Sequence, residues 1–156
     1  MRIGAEDRSQ TLGRGGIAVS RVTAEQEHRL VPLWVAARTA TGQSADWADR
    51  AVREGRLRTA LAREDVRVYL AEQDDQPIGF VAATVSPLSG LGEESAVWID
   101  QLYVTPGSRR RGAAKALLGA VATYADLCGV GQVTSCVPAG RSTPTATSPG
   151  WGSPPR

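Results

Sequence analysis

Between Leu102 and Leu118 the chain reads LYVTPGSRRRGAAKALL. Three arginines, Arg109, Arg110 and Arg111, stand immediately before Gly112, Ala113, Ala114 and Lys115. A run rich in β-formers ends before this cluster, and a helix-periodic run begins at Gly112. The first N–H groups of a helix have no partner within it, and the aligned peptide dipoles add positive potential there, so a helix start is a site for anions. Gly112 and the small Ala113 and Ala114 let backbone approach a ligand closely, and the arginines add charge. That combination suits a phosphate or pyrophosphate. The same residues fit solvated basic side chains and small side chains for helix packing, and on their types alone the two readings weigh equally.

Three other anion-binding patterns fail on inspection. A P-loop needs G-x-x-x-x-G-K-[ST], and the Lys-Ser/Thr pair is missing. A dinucleotide fingerprint needs G-x-G-x-x-G after the first strand of a parallel sheet, and neither condition holds. A nucleic-acid surface calls for more than one arginine cluster with aromatic platforms beside it. The net charge of +2 adds no argument for such a partner.

The elements that would position this segment follow from periodicity. Residues 1–16 carry four glycines and no periodic pattern, so a flexible arm is expected. Residues 17–23, IAVSRVT, alternate apolar and polar as a strand does. Thr23 then offers a helix cap, with Leu30, Leu33, Trp34 and Ala37 at helical spacing; Pro32 predicts a kink or a late start. A second helical stretch runs from a cap at Ser44 through Trp47, Ala51, Leu57 and Leu61, weakened or broken at Gly55. Strands are expected over 66–73 and 78–87, joined by a turn at DDQP, and again over 96–106. Leu117, Leu118, Val121, Tyr124 and Leu127 share one face of a helix, and residues 131–140 read as a last strand. The order β-α-α-β-β-β-α-β, with helices interrupting a mostly antiparallel meander, defines an α+β fold.

Composition sets the outer limits. The chain has 156 residues, 42% hydrophobic and 22% charged, which suits one domain with a real core. No apolar run reaches about 18 residues, so no membrane span is expected. The N-terminal stretch has no apolar signal region, and a cytoplasmic location is the default expectation. Cys128 and Cys136 have no metal-ligand spacing and suggest no disulfide framework. His28 sits in the polar run AEQEHR and reads as a solvated helix residue, so no metal site is expected.

The segment from Val104 to Ala114 fits V-x-P-x-x-R-R-x-G-x-A. It resembles the acetyl-CoA signature R/Q-x-x-G-x-G/A of the GCN5-related N-acetyltransferases (GNAT), as Arg109-x-x-Gly112-x-Ala114. The preceding strand, the following helix and the element order extend the resemblance over residues 17–138. It implies a mixed, mostly antiparallel sheet flanked by helices. It implies an enzyme that moves an acetyl group from acetyl-CoA, as cosubstrate, to a primary amine by direct attack. The resemblance implies that the backbones of Leu102, Tyr103 and Val104 pair with the pantetheine arm. It places the pyrophosphate on the amides of Arg109, Arg110, Arg111, Gly112, Ala113, Ala114 and Lys115. A backbone N–H near Leu102–Val104 would hold the thioester oxygen as negative charge develops on it.

An attacking amine needs a base. Asp100 lies on the strand before the signature, where family members often carry a Glu base, and Glu93 and Glu94 are weaker candidates. Strict alternation would place Asp100 with Trp98 on one face and Gln101 with Tyr103 on the other. A surface carboxylate paired with an arginine is the competing reading of Asp100. The expected partners are acetyl-CoA and an amine acceptor, with no nucleic acid or membrane.

The end of the chain, GRSTPTATSPGWGSPPR, does not follow the family pattern. The family continues with a helix, often N-x-x-A-x-x-x-Y-x-x-x-G-F, and two further strands. Pro144, Pro149, Pro154 and Pro155 forbid a continuous helix here. Residues 17–139 are therefore expected to form a domain incomplete at its C-terminus, with an irregular tail over 140–156. Among 18 basic residues 17 are Arg, and Ala and Gly are also abundant, which points to a GC-rich gene. Three readings of this tail compete: an ordinary disordered end, a segment that docks on a partner, or a reading-frame accident. With suitable codons, the tail reread two bases on gives DANRYFARLGFAPP, which has the family's helix spacing and points to a frameshift near residues 140–142. Such a chain is either a transferase or a non-catalytic or weakly active remnant that binds acetyl-CoA. Its unpaired sheet edge would offer a surface for a homodimer.

Overall fold

The computed structural model describes residues 10–11, 16–87 and 94–135. The tail over 140–156, most of the expected N-terminal arm, Glu93 and Cys136 lie outside the described residues. Six strands form one sheet in chain order: β1 Gln10–Thr11, β2 Ala18–Arg21, β3 Val66–Gln73, β4 Gln76–Pro87, β5 Ser95–Val104 and β6 Val133–Ser135. The first five run antiparallel, and β6 runs parallel to β5. The helices are α1 Glu27–Ala40, α2 Ala45–Arg53, α3 Arg56–Leu61 and α4 Ala113–Leu127. This is the α+β order expected, with one addition. Residues 10–11, inside the stretch expected as an arm, pair with Val19 and Ala18 of β2. A two-residue strand leaves no periodicity to detect.

Both faces of the sheet are covered, which explains why β3 buries the consecutive residues Val68, Tyr69, Leu70 and Ala71. Val68 and Leu70, with Phe80 of β4, pack under Leu30, Leu33, Trp34 and Ala37 of α1, Ala48 and Ala51 of α2, and Leu57 and Leu61 of α3. Tyr69 and Ala71, with Val81 and Ala83 of β4 and Val97 of β5, pack against Ala113, Leu117, Val121, Tyr124 and Ala125 of α4. The period of two along each strand thus feeds two separate cores. Helix α4 is the crossover that parallel strands β5 and β6 require.

Local chemistry sets the boundaries. A 3-10 turn, Ala24–Gln26, precedes α1, and Gln26 Oε1 accepts from Thr23 N–H at 3.3 Å. Pro32 then lies within α1, where its missing N–H leaves His28 C=O without its helical donor. Ser44 Oγ accepts from Trp47 N–H at 3.1 Å and caps α2, and Gly55, at φ 73°, separates α2 from α3. Asp74 and Asp75, at φ 52° and 60°, make the two-residue turn between β3 and β4. Strand β4 begins at Gln76, earlier than expected. Pro77 is accommodated because the register shifts beside it, between Ala71↔Gly79 and Glu72↔Pro77.

Candidate active site

The site is built where β5 loses its neighbour. Strand β6 pairs with β5 at Val97↔Val133, Trp98↔Thr134 and Ile99↔Ser135, and among the described residues nothing pairs with that edge beyond Ile99. On the opposite edge β4 follows β5 to Gly79↔Val104, but the register jumps from Ala83↔Ile99 to Ala82↔Gln101. Asp100 is therefore the extra residue of a β-bulge, at the point where β6 leaves β5. The bulge reverses which residues face which edge. Before it, Val97 N–H donates to Gln132 C=O on the β6 side at 2.9 Å; after it, Thr105 N–H donates to Ile78 C=O on the β4 side at 2.8 Å. Alternation then turns the backbones of Gln101 and Tyr103 toward β4, and those of Leu102 and Val104 toward the open edge. Of the three residues expected to meet a pantetheine arm, Leu102 and Val104 present backbone there and Tyr103 does not. Leu102 is 40% exposed, an uncovered apolar side chain at the same edge.

The chain next enters a 3-10 turn, Pro106–Ser108, and the arginine cluster. Arg110 has φ 66° and Gly112 has φ 89°. Residues of left-handed conformation among ordinary ones turn successive amides to one side and make a concavity for anions. No side chain caps α4, and Gly112 C=O accepts the first helical bond, from Ala116 N–H at 3.0 Å. The amides of Ala113, Ala114 and Lys115 therefore have no intrahelical partner. Arg110, Arg111 and Lys115 are exposed around this end, while the Ala113 side chain is buried in the core. Ala113, the first residue of α4, packs against the sheet in the core shared with Val81 and Val97. Arg109 folds back, and its Nε donates to Val104 C=O at 3.3 Å, joining the loop to the open edge of β5.

The bulge also changes the faces. Gln101 lies opposite Ala82, Tyr103 opposite Phe80 and Trp98 opposite Thr84, all on the side of α1 to α3. The Tyr103 ring stands 6.2 Å from that of Phe80. Trp98, Gln101 and Tyr103 thus share one face, against the expectation from strict alternation, because the extra residue resets the parity. Asp100 is exposed, and its Oδ2 accepts from Thr84 Oγ1 at 2.5 Å. This places its carboxylate on the same face as Trp98 and Gln101. Thr84, sixteen residues away, carries no sequence signal that links it to Asp100.

Other titratable groups stand apart. Glu94 is exposed beside the start of β5. Tyr124 is buried on the sheet-facing side of α4, with the Arg67 guanidinium 4.8 Å from its ring; burial, and then Cys128, push its hydroxyl up, against the opposing pull of Arg67. Among the described residues no group of three His, Cys, Asp or Glu side chains could hold a metal, and no helix is long and apolar enough to cross a membrane.

The acetyltransferase (GNAT) family model matches residues 28–141, and the chain belongs to this family. No curated protein matches it in sequence. Solved structures share its fold. An aminoglycoside acetyltransferase from an uncultured soil metagenomic sample is 19% identical with a TM-score of 0.68, covering 78% of this chain and 79% of that one. The ribosomal-protein-alanine N-acetyltransferase of Brucella melitensis biovar Abortus 2308 is 19% identical with a TM-score of 0.63, covering 80% and 82%. Aminoglycoside N-acetyltransferase AAC(6')-Iy, solved in complex with CoA, is 21% identical with a TM-score of 0.63, covering 81% and 80%.

Proposed function

We propose that this chain transfers an acetyl group from acetyl-CoA to a primary amine by direct attack. The observation that carries this reading is the junction of two unpaired backbone surfaces. The N–H and C=O groups of Leu102 and Val104 face an edge that nothing pairs among the described residues, and the free amides of α4 begin nine residues after Val104, past the arginine loop. A pantetheine arm laid along β5 as an added strand would lead its pyrophosphate to Gly112, Ala113, Ala114 and Lys115, with Arg110 and Arg111 around it. Arg109 must release Val104 C=O, or share it, as the arm docks.

Asp100 acts as the base, directly or through a water. It takes one proton from the incoming ammonium, and the freed nitrogen lone pair attacks the thioester carbon. The N–H groups on the open edge of β5 stabilise the resulting oxyanion. As the C–S bond breaks, the CoA sulfur leaves with the bonding pair and gains the second nitrogen proton. The products are the acetamide, CoA thiol and the proton that Asp100 returns to solvent. Holding both substrates together replaces a bimolecular encounter with a local step.

The test joins binding to turnover. Coenzyme A at millimolar concentration raises the melting temperature by mass action. Acetyl-CoA consumption is then followed with kanamycin, spermidine, N-α-acetyl-lysine and an alanine-terminated peptide. Consumption with one of them supports the transferase. A thermal shift without consumption reduces the protein to a binding remnant, and no shift removes the site itself.

A further inference from the structure

We infer that Thr84 is a positioning residue for the transfer, holding the Asp100 carboxylate for its work as base; the inference rests on that reading of Asp100. Asp100 is the unpaired residue of a bulge and is exposed, so neither a ladder partner nor packing fixes its side chain. A base must sit within hydrogen-bond reach of the proton it takes, and a freely turning carboxylate spends little time there. Thr84 supplies the missing constraint. It lies inside β4 and pairs with Val66 of β3 on one side and Trp98 of β5 on the other, so its backbone is fixed from both sides. Its β-branched side chain is stiff at the first torsion.

The Thr84 hydroxyl donates to Asp100 Oδ2 at 2.5 Å. The hydroxyl has one proton to give, and it gives it to one oxygen. Oδ1 is left to receive the proton of the amine or of a bridging water. The bulge and the threonine thus act together: the bulge turns Asp100 onto the face of Trp98 and Gln101, and Thr84 pins it there.

The test uses the full chain and whichever of the four amines is turned over fastest. Thr84→Val keeps the β-branched shape and removes the donor, and is expected to lower kcat about tenfold, a part of the contribution of a positioned base. The KM for acetyl-CoA and the thermal shift with CoA stay at their wild-type values. Thr84→Ser restores kcat to within about twofold, since the hydroxyl is what matters. The double variant Thr84→Val with Asp100→Asn is no slower than Asp100→Asn alone. Wild-type kcat in Thr84→Val, a Thr84→Ser variant as slow as Thr84→Val, or additive losses in the double variant would each overturn the role of Thr84 while leaving that of Asp100 standing. Wild-type kcat in Asp100→Asn, or no turnover of any amine, overturns the reading of Asp100 and the inference with it.

Discussion

Gly79 of β4 and Val104 of β5 face each other so closely that a side chain on Gly79 has no room. A Cβ there would come within 2.7 Å of Tyr103 O and 3.3 Å of Val104 Cα. The two atoms belong to backbone, so no rotamer change relieves the clash. Val104 is also one of the residues that present backbone to the open edge, so the packing of β4 controls the shape of the candidate cofactor site. Gly79→Ala is expected to destabilise the fold by about 1–3 kcal/mol. It is also expected to weaken CoA binding, measured by calorimetry at a temperature where the variant is folded. An unchanged melting temperature would show that β4 and β5 separate without cost.

Gly112 makes the opposite demand. A Cβ there would meet nothing within 4 Å, but the residue has φ 89°. The cost of Gly112→Ala is therefore torsional, about 1–2 kcal/mol. If the α4 start moves to relieve the strain, CoA affinity falls. Asn, which tolerates left-handed backbone, should retain more affinity than Ala at this position. Equal affinities in the two variants would separate CoA binding from this backbone conformation.

Arg110 and Arg111 are exposed beside the uncapped start of α4. Replacing both with Ala should raise the CoA dissociation constant about tenfold or more, since each charge-assisted bond to phosphate contributes on the order of 1.5–3 kcal/mol. The salt dependence of binding should flatten in the same variant, because the lost attraction is the screened one. Unchanged salt dependence would place the phosphates elsewhere.

Tyr124 gives a prediction for alkaline pH. Its folded pKa is raised, first by burial and then by Cys128, with Arg67 opposing. The unfolded chain therefore loses the phenolic proton first, near pH 10 or about there. The stabilisation is fully present below that pH and is lost as pH rises through the folded value. Melting temperature should fall more steeply as pH rises above about 10 in the wild type than in Tyr124→Phe. Parallel curves would show that the hydroxyl does not set the slope.

The loop and the helix start were legible because a run of β-formers ends and helical periodicity begins on either side of the Arg-Gly segment, although the residue types alone left a solvated basic cluster equally open. The apolar stripe of α4 was legible from its helical spacing, whereas the two cores on opposite faces of the sheet came from the structure. The bulge at Asp100 could not be read. A bulge of this kind is set by how β4 and β6 bind the two edges of β5, and AVWIDQLYV alternates as well without it. Hence the faces of Gln101 and Tyr103 were misplaced, and the Thr84–Asp100 bond, formed across two strands, stayed hidden. The turn expected at DDQP takes in Gln76 and Pro77, whereas the register shift beside Pro77 keeps both residues in β4.

The central claim is that CoA binds along the open edge of β5 and over the start of α4. The most direct measurement is a titration of the isotope-labelled protein with coenzyme A, followed by amide resonances in two-dimensional NMR. Saturable shifts are expected to concentrate at Leu102, Val104 and residues 109–115, with Val68 and Leu70 of β3, two strands away, unmoved. Shifts that map elsewhere, or none at millimolar coenzyme A, would contradict that claim.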